Sequence, residues 1–194
     1  MEIAPDVDDD PRTRMLRATV ACLGGVGLAR LTVEDVAREA GLSRATVYRY
    51  FPGGREQLVD ESITWEVGQF LARLAAAVAD VADLEERLVR ALTFARRAID
   101  EHEVLQRMLQ TEPGGVLPQL RETTPLELAV IGSYLRPYLE TEALRRGVDA
   151  EEAADYLARM LLSYMTTAGG VDIDDEGAVR QLVRTQFLGG VLGG

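Results

Sequence analysis

Hydrogen-bond donors suited to a polyanion are concentrated in the segment 40–55. Arg44, Arg49 and Arg55 supply guanidinium groups, which bind guanine edges and phosphate oxygens bidentately. The segment contains no acidic residue, although the chain of 194 residues has a formal net charge of −11. A basic surface confined to one end of an acidic protein predicts docking on a phosphate backbone, with little non-specific binding elsewhere.

The elements that must position these donors form a helix-turn-helix pattern over 33–51. Ala37 is the small residue at the helix crossing, Gly41 tolerates the left-handed backbone of the turn, and Ser43 caps the second helix. Apolar residues at helical spacing supply the inner face: Val33, Val36, Leu42 and Val47. A helical hairpin that binds no nucleic acid is the alternative interpretation.

These residues resemble the DNA-binding domain of the TetR family of bacterial transcriptional regulators, over about 12–62. The family pattern is met by Thr32, Ala37, Ala40-Gly41-Leu42-Ser43, Thr46 and Tyr48-Arg49-Tyr50-Phe51, followed by Arg55, Glu56 and Leu58. The Gly24-Gly25 pair departs from the pattern, and it predicts that the first helix ends near Leu23.

The resemblance implies a DNA contact for each matching position. Arg44 is expected to bind a guanine edge, and Ala45 and Thr46 to contact a thymine methyl. The remaining contacts are expected to be mainly with phosphates: Thr32, Ser43, Tyr48, Arg49, Tyr50 and Arg55. A core position is an equal alternative for Tyr50.

Periodicity of 3.6 residues dominates the chain and predicts an all-α protein. We expect an acidic flexible tail at 1–9, a three-helix helix-turn-helix head at 10–54, and a helical effector-binding and dimerisation bundle at 55–194. The predicted helices are 10–23, 32–40, 43–51, 55–80, 84–101, 103–110, 124–146, 150–168 and 176–191.

The middle helices combine apolar and aromatic residues, and the family resemblance implies a small-molecule effector pocket between them. Candidate lining residues are Trp65, Phe70, Phe94, Leu105, Met108, Leu109, Tyr134 and Tyr138. The break at 111–115 is a candidate pocket mouth. Each residue is also a candidate for ordinary core packing. We expect a mostly apolar effector that lowers DNA affinity.

Two apolar stripes near the C-terminus predict a homodimer built from the last two helices, an arrangement that the resemblance also implies. The candidate interface residues are Leu157, Met160, Leu161, Tyr164, Val179, Leu182, Val183 and Phe187. Packing within a single chain is the competing interpretation. A dimer would present two recognition helices to a palindromic DNA site.

The chain contains few of the residues that serve as catalytic bases, nucleophiles or metal ligands. The basic residues are all Arg, and the chain has a single His, His102, and a single Cys, Cys22. The series Asp172-x-Asp174-x-Glu176 begins like a calcium loop, but Val183 replaces its final Glu. We therefore expect a cytoplasmic regulator with no cofactor, metal site or membrane segment, and the family resemblance implies that it is a repressor. The alternative is an all-α small-molecule-binding or enzymatic protein with a vestigial DNA-binding head.

Overall fold

The computed structural model describes residues 10–166, 170–172 and 175–193. Over these ranges the chain is helical, with no strand beyond an isolated bridge between Leu144 and Leu192. The helices are α1 (Pro11–Val26), α2 (Val33–Glu39), α3 (Arg44–Tyr50), α4 (Gly54–Ala77), α5 (Leu84–Asp100), α6 (Glu103–Thr111), α7 (Pro113–Leu139), α8 (Ala150–Thr166) and α9 (Glu176–Leu182), followed by a π-helical turn at Val183–Phe187. The all-α prediction is confirmed.

Helix α1 extends three residues beyond the predicted end. It begins after Asp10, whose carboxylate accepts the backbone N–H of Thr13, with Pro11 at the first helical position. It continues through Gly24 and Gly25 and ends at Gly27, whose φ is +80°. The glycine pair therefore lies inside the helix, and the left-handed backbone of Gly27 terminates it.

Helix α7 differs most from the sequence prediction, which placed a helix over 124–146. It begins at Pro113 and ends at Leu139. Proline at the first helical position costs no intrahelical hydrogen bond, so the Pro-Gly-Gly sequence that suggested a break instead starts the helix. Met108 and Val116 are both buried, so apolar packing continues on either side of this junction.

The described chain forms two compact units rather than dividing at residue 54 as predicted. The head unit contains 10–68 and 102–123, and the body unit contains 69–101 together with the described part of 124–193. Leu58 and Val59 of α4 belong to the same core as Val36 and Phe51. Their burial explains why the head extends beyond the Pro52-Gly53-Gly54 break.

The head core is formed by the apolar faces of α1, α2, α3 and α6, together with the first parts of α4 and α7. Its most buried residues are Met15, Leu23, Leu31, Val36, Val47, Phe51, Leu58, Val59, Met108 and Val116. Burial of this apolar surface supplies most of the stabilisation of such a core.

The body core is formed around the apolar face of α5. Asp83 caps this helix by accepting the N–H of Glu86, and Leu84, Leu88, Ala91, Leu92 and Ala95 follow at helical spacing. Helices α8 and α9 pack against α5. None of the described helices combines the length and apolar composition that a membrane span requires. The predicted acidic tail at 1–9 lies outside the described residues.

Candidate nucleic-acid interface

Side-chain caps set the geometry of the helix-turn-helix. Thr32 accepts the N–H of Asp35 at 3.2 Å, and the Asp35 carboxylate accepts the N–H of Thr32 at 3.1 Å, which completes a capping box at α2. Ser43 accepts the N–H of Thr46 at 3.1 Å and so caps α3. Gly41 in the turn has φ of +64°, as its predicted role requires.

Two arginines of α1 contact the turn and the end of α3. The guanidinium of Arg14 donates to the carbonyl of Ala40 at 2.6 Å. The Arg12 guanidinium carbon lies 4.8 Å from the ring centroid of Phe51, and the same side chain pairs with Glu61. These contacts attach α1 to the turn that precedes α3 and to the C-terminal end of α3, a role that the sequence pattern did not indicate.

Helix α3 buries only one narrow face. Val47 is fully buried, whereas Arg44, Ala45 and Arg49 are exposed. Tyr48 keeps 41% of its surface accessible to solvent. A seven-residue helix that exposes two arginines and a tyrosine, and contains no acid, has the donor set that groove docking requires.

Arg44 is held on the surface by two neighbours. Its Nη1 lies 2.6 Å from Oε1 of Glu34 at the start of α2. Its guanidinium carbon lies 5.6 Å from the ring centroid of Tyr48. The Tyr48 side chain first, and then the Glu34 carboxylate, raise the pKa of Arg44 above its ordinary value. Residue type and spacing predict only a solvated position for Glu34, because they do not show that α2 and α3 bring these charges together.

Three of the predicted phosphate contacts are also structural. The hydroxyl oxygens of Thr32 and Ser43 act as helix caps, and the Ser43 hydroxyl lies 2.8 Å from that of Thr46. Tyr50 is half-buried and packs against the head core, so the core alternative describes its ring. The Arg49 guanidinium carbon lies 5.3 Å from the Tyr50 ring centroid.

Arg55 points into the loop between α1 and α2 rather than outward. Its Nε donates to the carbonyl of Leu31 at 3.0 Å, and its Nη2 donates to the carbonyl of Leu28. These bonds give Arg55 a structural role, and its expected phosphate contact stays a prediction. Carbonyl groups of a loop without helical hydrogen bonds need donors, and the guanidinium supplies two.

Residues of α6 and its C-terminal cap also contact the end of α1 and the loop between α1 and α2. Arg107 donates to the carbonyl of Gly24 at 2.5 Å, and the Glu112 carboxylate accepts the N–H groups of Leu28 and Ala29 at 3.1 Å and 2.8 Å. The polar groups at the end of α1 are thus satisfied by a helix about 80 residues later. No sequence motif indicates such a contact.

The predicted effector residues are divided between the two units. Met108 is buried in the head core, and Trp65, Leu105 and Leu109 are partly buried against it. These four residues therefore pack within the head, in agreement with the alternative that they belong to an ordinary core. Phe70, Phe94, Tyr134 and Tyr138 belong to the body unit.

In the body unit, Arg87 brings Tyr134 and Tyr138 together. The ring centroids of the tyrosines are 5.6 Å apart, and the Arg87 guanidinium carbon lies 3.8 Å from the Tyr138 centroid. Arg87 is only 2% exposed and donates to the Tyr134 hydroxyl at 2.6 Å, to the carbonyl of Val78 at 2.7 Å and to that of Val81. Burial raises the pKa of the Tyr134 hydroxyl.

Arg87 was not among the predicted site residues, although its position in the sequence indicates burial. It lies three residues after Leu84 and four before Ala91, on the buried face of α5. Phe94, farther along the same helix, is half-buried and lines an open recess of about 350 Å³ with Arg90, Thr93, Arg97, Ala98 and Glu101.

Most residues of the predicted dimer interface are buried within a single chain. Leu157, Leu161, Val179, Leu182, Val183 and Phe187 are each at most 4% exposed. Such side chains offer no surface to a second copy, so the competing interpretation, a core within one chain, describes them. Met160 and Tyr164 remain partly exposed on α8.

The remaining polar candidates have structural partners. His102 caps α6 by accepting the N–H of Leu105 through Nδ1 at 3.1 Å, and its Nε2 lies 3.5 Å from the Glu66 carboxylate. Cys22 is half-buried, and burial raises the pKa of its thiol. In the part of the chain that the structure describes, no three His, Cys, Asp or Glu residues are grouped to hold a metal ion. Asp174 of the calcium-like series lies outside that part.

Comparison with known proteins agrees with this geometry. A model of the tetR family of bacterial regulatory proteins matches residues 15–61, the segment from α1 into α4. An uncharacterised HTH-type transcriptional regulator of Mycobacterium bovis is 28% identical over 170 residues, covering 86% of this chain and 84% of its own.

Solved structures share the whole fold. A Mesorhizobium loti protein described as a TetR-family transcriptional regulator is 19% identical, with a TM-score of 0.67 and coverage of 97% of this chain and all of its own. FadR of Bacillus subtilis, solved with stearoyl-CoA, is 17% identical, with a TM-score of 0.57 and coverage of 88% and 96%. The helix-turn-helix geometry and the family match agree: residues 15–61 form a DNA-binding domain of the tetR family of bacterial regulatory proteins.

Proposed function

We propose that this chain represses transcription as a cytoplasmic homodimer, and that a mostly apolar small molecule releases it from DNA. DNA-binding regulation is supported by the tetR-family match of residues 15–61 and by relatives described as HTH-type transcriptional regulators. The observation that carries the proposal for this chain is the exposed face of α3, where Arg44, Tyr48 and Arg49 surround a single buried anchor, Val47. An arginine at the start of a recognition helix is suited to guanine, and tyrosine hydroxyls to phosphate.

Selection of DNA fragments from the source genome tests DNA binding. We expect enrichment of a palindromic motif with half-sites about 34–36 Å apart, or a multiple of that distance. Arg44→Ala should abolish preference at one base pair in each half-site and weaken binding to the motif. Arg121→Ala, which removes the same charge from exposed α7, is the matched control and should retain the motif. Absence of enrichment with and without ligands would refute DNA-binding regulation.

We place the dimer contact on the exposed stripe of α8, defined by Tyr156, Met160 and Tyr164. These residues follow each other at four-residue spacing, and Tyr156 is 38% exposed. Both tyrosine hydroxyls donate to Gln186, to its backbone carbonyl at 2.6 Å and to its side-chain oxygen at 2.7 Å. Large apolar and aromatic side chains outside the core are typical of subunit contacts.

The dimer is tested by sedimentation equilibrium of the wild type, Met160→Glu and the control Gln181→Glu, which adds the same charge to exposed α9. We expect a dimeric wild type and control, and a monomeric Met160→Glu that keeps its helical circular dichroism. A dimer with unchanged association constant in Met160→Glu would remove this face from the interface.

The effector proposal is supported by the aromatic residues of the body unit and by the stearoyl-CoA that FadR of Bacillus subtilis binds. The test measures affinity for the selected DNA with stearoyl-CoA, with stearate and with coenzyme A alone. If stearoyl-CoA or stearate lowers DNA affinity and coenzyme A does not, the result supports an apolar effector. If coenzyme A is equally effective, the apolar class is refuted, and if no probe changes DNA affinity, a long-chain acyl effector is refuted.

A further inference from the structure

We propose that Glu34 positions Arg44 for base recognition and thereby sets the sequence specificity of this regulator, an inference that rests on the proposed DNA binding. Glu34 is the second residue of α2 and Arg44 the first of α3. The ion pair between them measures 2.6 Å from Oε1 to Nη1 and joins the two helices at the surface.

The contact offers little to fold stability, because both side chains are largely in water. Their exposed fractions are 52% for Glu34 and 60% for Arg44. Ion pairs this exposed are weak, and water and salt screen them. A carboxylate beside a DNA-docking helix also repels phosphates. We therefore assign the Glu34 carboxylate a role in orienting Arg44, because neither fold stability nor attraction to DNA accounts for a negative charge at this position.

The chemistry of the guanidinium allows both partners at once. Arginine has five N–H donors in a planar fork, so one edge can bind a carboxylate while another binds O6 and N7 of guanine. Glu34 on one side and the Tyr48 ring on the other restrict the rotamers of Arg44 before DNA arrives. A side chain held in this way loses less conformational freedom on binding.

The same pair weakens binding to the wrong sequence. Without a guanine in reach, the nearby Glu34 carboxylate offsets part of the Arg44 charge, so Arg44 contributes less to non-specific attraction by phosphates. Removing the carboxylate therefore releases a mobile cation next to the groove. We expect affinity for random DNA to rise and discrimination to fall.

The experiment measures the affinity of full-length wild type, Glu34→Gln and Glu39→Gln for three duplexes: the selected motif, the motif changed at the base pair that depends on Arg44, and random sequence. Glu39 is exposed at the other end of α2, and Glu39→Gln makes the same charge change. We expect Glu34→Gln to lose about five- to tenfold in discrimination at that base pair. Its affinity for random DNA should rise several-fold. Glu39→Gln should keep the wild-type ratio between duplexes.

Two results overturn the inference while DNA binding stands. One is that Glu34→Gln and Glu39→Gln change the affinity for all three duplexes by the same factor. Glu34 would then contribute only its charge. The other is a changed preference at a different base pair, which makes Glu34 a direct reader of a base. A double variant with Arg44→Ala should show no further loss from Glu34→Gln at the Arg44-dependent pair. If the wild type selects no motif, the proposed function fails first and the inference fails with it.

Discussion

Glu112 binds the backbone of Ala29, which lies 83 residues earlier in the chain: Oε2 accepts its N–H at 2.8 Å. The second carboxylate oxygen accepts the N–H of Leu28 at 3.1 Å. One side chain at the end of α6 therefore satisfies two donors in the loop that precedes the recognition motif. Charge-assisted bonds of this kind are stronger than bonds between neutral groups.

Replacing Glu112 by Ala should lower the free energy of unfolding by about 1–2 kcal/mol, because two backbone donors lose their acceptor. Urea denaturation measures the change, with Glu122→Ala on the exposed surface of α7 as the control. Surface substitutions of that kind stay within about 0.5 kcal/mol. Equal stability of both variants would show that water replaces the Glu112 carboxylate at no cost.

Arg55→Lys separates a structural role from a phosphate contact. Lysine keeps the positive charge but loses the planar fork that binds the carbonyls of Leu28 and Leu31. We expect the free energy of unfolding to fall by about 1 kcal/mol, while the salt dependence of DNA binding is unchanged. Arg49→Lys on exposed α3 is the control for stability. A normal unfolding transition with weaker binding to every DNA sequence would instead support the phosphate contact, because lysine keeps the charge but loses the bidentate fork.

Arg87→Ala should be the most destabilising of the changes considered. It leaves two backbone carbonyls and the Tyr134 hydroxyl without their buried donor, and it opens a cavity beside Tyr138. Losses of this type cost about 3 kcal/mol or more. Arg90→Ala, three residues later on the same helix, removes only an exposed pair with Asp80 and should cost less than about 1 kcal/mol. Chemical denaturation compares the two variants, and similar losses would contradict the structural role of Arg87.

The ion pair between α5 and the π-helical turn makes stability depend on acidic pH. Hydrogen bonds from Arg184, at 2.7 Å and 3.0 Å, hold the pKa of Glu85 below its ordinary value. A folded-state pKa below the unfolded one gives stabilisation that is present above the unfolded-state pKa. This stabilisation is lost as the pH falls through the folded-state value.

Glu85→Gln should therefore be less stable than the wild type at pH 7, by about 0.5–1 kcal/mol. The difference should shrink as both proteins are brought below the folded-state pKa of Glu85. Thermal unfolding between pH 7 and pH 3 measures it, and Glu142→Gln on the exposed surface is the control. A difference that is constant over this range would indicate that the carboxylate charge contributes nothing.

The sequence by itself determined the elements whose hydrogen bonds are local. Asp10, Thr32, Ser43 and Asp83 cap helices within three residues of themselves, so their roles follow from residue type and spacing. The turn at Gly41 and the exposed donors of α3 were predictable for the same reason. The same local rules also predict the all-α class and the resemblance of the head to the TetR family.

Only the tertiary structure decided the roles that depend on residues far apart in sequence. Arg55 is basic whether it faces DNA or a loop carbonyl, and Glu34 is equally acidic with or without Arg44 beside it. An apolar stripe such as that of α9 has the same pattern whether it covers its own core or a second chain. Folding the chain brings distant partners together, and the contacts available there decide among roles that residue type leaves equal.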